Sequence, residues 1–126
     1  MNSESQEVKR LFSELCERSK HSFPKHRQSL DAPSKQGVYI IRKEKTVLHI
    51  GRTLRGKDGL YQRLKNHLHS SSSFTNNHLQ GKGAILREDG YTYQYIEEKA
   101  PRKRALLEAY ATGILCPEYL GLVEKI

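Results

Sequence analysis

Only two cysteines occur in this sequence, Cys16 and Cys116, and they lie far apart. That count excludes a disulfide framework and any zinc site built on paired Cys-x-x-Cys ligands, and the apolar neighbours of both read as those of reduced, small core residues. No stretch approaches the roughly 20 apolar residues that a membrane-spanning helix needs. Met1-Asn2-Ser3-Glu4-Ser5 leads into no apolar segment of the kind a secretory signal carries, so a cytoplasmic location is the expectation. Internal repeats are also missing. Acidic residues are in short supply, 14 against 22 lysines and arginines, which leaves a formal net charge of +8. An excess of that size on a small chain points to polyanionic partners, nucleic acid first and an anionic membrane surface second.

What is present suits one globular domain. At 126 residues the chain has room for no more than that, and a domain of this size buries roughly two-thirds of its unfolded surface. Val8, Leu11, Phe12, Leu15 and Cys16 recur at helical spacing, predicting an amphipathic N-terminal helix with Ser3 and Gln6 as a capping box. A polar connector with Pro24 and Pro33 runs to about residue 36. Two β-branched runs, 37–42 and 46–50, flank a charged turn at Lys43-Glu44-Lys45 and predict a hairpin. A three-residue turn would pair Arg42 with Thr46 and set Tyr39 directly opposite His49, on one face of the sheet.

Residues 51–59 form a Gly-rich basic loop. Asp58 is placed to cap a helix running to about residue 69, with Leu60, Tyr61, Leu64 and Leu68 as its buried stripe. The serine run 70–73 opens a loop that extends to Gly83, with a helical turn near 77–79. Ala84-Ile85-Leu86 fits a strand or a helix end, and 91–96 alternates as a third strand. Pro101 suits the first turn of a last helix, whose buried face would be Leu106, Leu107, Tyr110, Ala111, Ile114 and Leu115. The expected fold is α+β: a small, mostly antiparallel three-stranded sheet flanked by helices, with a core over 36–116 and a tail over 117–126.

Gly37-Val38-Tyr39 and His49-Ile50-Gly51, followed by Arg52-Thr53 and then by Arg63-Leu64-Lys65-Asn66-His67 on a helix, resemble the GIY-YIG nuclease superfamily over about residues 36–116. The resemblance implies a DNA endonuclease using one Mg²⁺ (or Mn²⁺). Tyr39 would take a proton from the attacking water or orient it, Arg63 would bind the scissile phosphate, Glu108 would be the one protein ligand of the metal, and His67 would stand near the nucleophile. Physical chemistry favours such a set. Phosphoryl transfer asks for positioning and neutralised oxygens, a guanidinium matches phosphate geometry, and one carboxylate with waters suits Mg²⁺. Arg63 and His67 share a helix face at i, i+4.

Two features depart from the family pattern. His49 stands where a tyrosine is usual, and imidazole accepts a proton near neutral pH far more readily than phenol, so His49 is a second candidate base. No asparagine after Ile114 matches the late one of many members. A GIY-YIG-like module that grips nucleic acid without cutting it is therefore the alternative. Arg52, Lys57, Arg102, Lys103 and Arg104 are the candidate contacts to backbone phosphates. His67, His69 and His78 do not make a zinc site on this reading, since residues two apart on a helix point in different directions.

Overall fold

The structure, a computed structural model, describes residues 3–121. In chain order these form α1 (Ser3–Glu17), β1 (His21–Ser22), β2 (Gly37–Lys43), β3 (Thr46–Arg52), α2 (Gly59–Leu68), α3 (Ser73–His78), a 3-10 helix (Gly83–Arg87), β4 (Tyr91–Glu97) and α4 (Pro101–Leu115). The sheet is antiparallel with strand order β1-β4-β2-β3. It has four strands rather than the expected three, because His21 and Ser22 of the polar connector pair with Tyr93 and Thr92. Two residues are too few to show an alternation. No helix among the described residues is long and apolar enough to cross a membrane.

β2 lies between β3 and β4 and is covered on both faces, which is why Val38, Tyr39, Ile40 and Ile41 form an unbroken apolar run. Val38, Ile40, Ile50 and Ile96 pack against Leu11 and Leu15 of α1 and Leu107 and Ala111 of α4. On the opposite face Tyr39, Ile41 and Tyr93 meet Leu60, Leu64 and Leu68 of α2 and Phe74 of α3. Ile114, expected on the buried face of α4, is 55% exposed. Cys116, expected in the core, is exposed and free and caps α4 in a left-handed conformation.

The hairpin register differs from the sequence expectation by two steps in the same direction, which together restore the expected face of each residue before the bulge. Lys43 pairs with Thr46, so the turn has two central residues, Glu44 at φ 53° and Lys45. A bulge follows: Arg42 pairs with Val47, but Ile41 pairs with His49, leaving Leu48 as the extra residue. Leu48 and His49 therefore both turn to the α2 side. Tyr39 ends opposite Gly51 instead of His49, yet His49 remains on its face as a diagonal neighbour.

That register explains Gly51. The Tyr39 ring lies across β3 where a side chain at position 51 would stand, and a Cβ there would collide with the ring and its hydroxyl. Gly51→Ala is expected to destabilise the fold by about 1–3 kcal/mol, as overpacking a core does. Urea unfolding would register it as a lower midpoint at unchanged slope.

The entry to α2 depends on the connector. Gly59 has φ +42°, and a Cβ there would strike the Lys35 carbonyl. The N–H groups of Leu60 and Tyr61 donate to the carbonyls of Lys35 (2.8 Å) and Pro33 (3.0 Å). Those two bonds satisfy the helix N-terminus in place of the expected Asp58 side chain, which makes no cap bond.

Candidate active site

Tyr39, at the centre of the sheet, is fully buried. Its hydroxyl lies 2.6 Å from Nε2 of His67 and 3.5 Å from Nε2 of His49. His67 comes from α2 and is itself fully buried. Its other ring nitrogen, Nδ1, meets Ser72 Oγ at 2.6 Å. Ser72 is the N-cap of α3, accepting from the Thr75 backbone N–H at 3.2 Å. Its hydroxyl donates to Thr75 Oγ1 at 3.1 Å, and the Thr75 hydroxyl donates to the His67 carbonyl.

This chain of bonds has one consistent proton assignment. A carbonyl only accepts, so Thr75 spends its hydroxyl proton on His67 and Ser72 spends its own on Thr75. Ser72 Oγ then accepts from Nδ1–H of His67. A neutral His67 therefore offers a bare lone pair at Nε2, and the Tyr39 hydroxyl donates to it. Burial, with His49 and Arg63 adding to it, holds the His67 pKa well below its usual value, in keeping with a neutral ring.

Arg63, one helical turn before His67, is the charge common to the whole group. Burial pushes the Tyr39 pKa up to about 12 while the Arg63 guanidinium pulls it back. Burial lowers His49 to about 4, and Arg63 lowers it further. Desolvation thus makes His49, like His67, an uncharged ring at neutral pH, and its residue type alone does not make it a ready base there. Among the described residues, His49 Nδ1 and Arg63 Nε are buried without a close hydrogen-bond partner, and the Tyr119 backbone beside His49 partly offsets the lowering of its pKa.

The low histidine pKa values have a thermodynamic consequence. Unfolded, both imidazoles protonate near pH 6.5, so below that pH the unfolded chain holds more protons than the folded one. Their contribution is complete above about pH 6.5 and is lost as pH falls toward the folded value of about 4 for His49. The melting temperature is expected to drop between about pH 7 and pH 5, and less steeply in His49→Asn; equal slopes would contradict the assignment.

Arg63 also lines a pocket of about 620 Å³ with Arg52, Arg55, Lys57, Asn66 and Glu108. Glu108 projects from α4 and its Oε1 accepts from Arg52 Nη1 at 2.8 Å. Burial raises the Glu108 pKa, with Arg52 and then Arg63 opposing. Among the described residues no three of His, Cys, Asp and Glu are grouped to hold a metal. One half-buried carboxylate at a cationic wall does not make a cage for a tightly held ion. It does fit a Mg²⁺ that keeps its waters and shares a phosphate with the protein.

Tyr39, His49, Arg63, His67 and Glu108 thus converge. Arg52 and Lys57 line the same pocket. The other basic candidates do not. Arg102 is clasped by Glu4 (2.8 and 3.1 Å) and Lys103 by Glu7 (2.7 Å), both on α1. Arg104 is only 3% exposed, its guanidinium donating to the carbonyls of Thr53, Leu54, Glu98 and Lys99. It is a clamp on the pocket's loop and offers nothing to a phosphate. Ser72 and Thr75 escaped the sequence reading. The Ser-x-x-Thr cap spacing was present, but four consecutive serines hid which one caps.

Compared with known protein families, with curated proteins and with solved structures, the chain has no match.

Proposed function

We propose that this protein is a metal-dependent endonuclease of the GIY-YIG kind, hydrolysing DNA phosphodiester bonds. The observation that carries the reading is the Tyr39–His67 pair: a buried phenol whose proton is directed at a neutral imidazole, beside an arginine that faces a cationic pocket. The acceptor is a ring nitrogen rather than a carbonyl, so it can take up the phenol's proton as well as hydrogen-bond to it.

In this mechanism a DNA phosphate enters the pocket and takes the Arg63 guanidinium in a forked contact. Arg63 then turns away from Tyr39, opening its oxygen to a water. Neutralising Arg63 also removes one of the influences that hold the His67 pKa down. As the water oxygen bonds to phosphorus and the ester bond breaks, Tyr39 accepts the water's proton and passes its own to His67 Nε2. Arg63 and Arg52 bear the charge that develops on the non-bridging oxygens. Glu108 would hold Mg²⁺ or Mn²⁺, which would supply Lewis-acid stabilisation of the negative charge that develops.

A second reading has its own support. Tyr39 is fully covered and Glu108 is already ion-paired, which suits a module that binds nucleic acid without cutting it. Cleavage of supercoiled, branched and single-stranded DNA with Mg²⁺, Mn²⁺ or EDTA separates the two, using wild type, Arg63→Ala and Glu108→Ala. Metal-dependent nicking lost in both variants supports the nuclease. No cutting of any substrate, with salt-sensitive binding retained, overturns it in favour of the module.

A further inference from the structure

A second hollow, of about 500 Å³, shares Glu108 with the cationic pocket and reaches His49. Its walls differ in kind from those of the first. Ile50, Ala109, Thr112, Gly113, Pro117, Tyr119 and Leu120 line it, and among the described residues no lysine or arginine does. Four basic side chains, Arg52, Arg55, Lys57 and Arg63, line the first. A nucleic-acid strand with one phosphate at Arg63 would extend past Glu108 into this space. A second phosphate there would meet, among the described residues, no cation and one carboxylate, so the uncharged part of a nucleotide is what these walls accommodate.

Gly113 adds an independent indication. It sits near the C-terminal end of α4, where glycine costs about 1 kcal/mol relative to alanine. No close approach explains it, since a Cβ at this position would meet nothing within 4 Å. What the missing side chain does is leave the hollow open. Tyr119, on the opposite wall, is held in place. Its N–H donates to the Leu48 carbonyl at 2.9 Å, its hydroxyl accepts from Asn77 Nδ2 at 3.2 Å, and its ring packs against His49 and Phe74. Leu120 beside it is 47% exposed. A fixed aromatic ring among aliphatic groups is a surface on which bases stack.

We propose that this hollow is a base-binding subsite, taking one unstacked nucleobase next to the phosphate held at Arg63. Bases within a continuous duplex are paired and stacked and cannot enter it without being extruded. The substrate class that follows is a strand with an unpaired nucleotide beside the cut: a single strand, a flap or a bulge. This rests on the nucleic-acid reading above, and the experiment keeps the two apart.

Binding is measured in EDTA, without cleavage, for a ten-nucleotide oligothymidylate and for an abasic oligomer of equal length and charge. Stacking of one base predicts that wild type prefers the oligothymidylate by about tenfold. Gly113→Leu fills the hollow and is expected to lower oligothymidylate affinity to the abasic level while leaving abasic affinity unchanged. Gly113→Ala leaves room and keeps the preference. Both variants place a better helix former at an exposed position, so both fold, and their melting temperatures rise. Equal wild-type affinity for the two oligomers, or an unaltered preference in Gly113→Leu, overturns the base subsite and leaves phosphate binding standing. No affinity for either oligomer overturns both.

Discussion

On the proposed nuclease mechanism, Arg63→Ala is expected to cut DNA about 10³-fold more slowly than wild type, the scale on which a single arginine acts in phosphoryl transfer. The reason lies in how many groups its charge reaches. The guanidinium acts on Tyr39, His49, His67 and Glu108, and among the described residues its Nε is buried without a close hydrogen-bond partner. Removing it takes away the fork that holds the phosphate. It also lets the Tyr39 pKa of the substrate-free protein climb further, because Arg63 is what draws it down there. Arg63→Lys restores the charge but not the fork and should recover only part of the rate. Binding responds less than rate: losing one phosphate contact lowers the slope of log affinity against log salt by about 1. Wild-type cleavage by Arg63→Ala would place the chemistry elsewhere on the molecule.

The elements that the sequence revealed are those with a long local signal: the apolar stripe of α1, the β-branched runs of the two hairpin strands, and the apolar length of α4 after Pro101. β1 has two residues and no period, and its pairing with β4 is a tertiary event. The hairpin is more instructive. Its turn is one residue shorter than expected, and a bulge at Leu48 moves the register by one more. Either change alone would have put His49 on the opposite face from Tyr39; the two together keep them on the same one.

The site was legible where chemistry needs particular residue types at helical spacing, as with Arg63 and His67. It was not legible where burial decides. His49 looks like a near-neutral base until the depth of its pocket is known. Arg102, Lys103 and Arg104 form the densest run of positive charge, yet successive helix positions point about 100° apart. Two of those side chains reach glutamates of α1 and the third goes inward.

Arg104→Met is expected to destabilise the fold by about 3 kcal/mol or more, the largest stability effect among the basic residues of this protein. Methionine matches much of the side chain's volume but satisfies none of the four carbonyls that the guanidinium holds. Each carbonyl would be left wholly or partly desolvated, with no replacement donor. Two of them, those of Thr53 and Leu54, belong to the loop that begins the cationic pocket, and two, those of Glu98 and Lys99, to the turn before α4. The clamp therefore ties the pocket's loop to the helix that carries Glu108. Arg104→Lys reaches fewer carbonyls and should fall between wild type and Arg104→Met. By contrast, Arg102→Ala removes an exposed pairing with Glu4, and the melting temperature should scarcely move. Urea unfolding of the three variants tests this order. If Arg104→Met were as stable as wild type and instead lost DNA affinity, Arg104 would be a phosphate contact after all and its burial would not hold in solution.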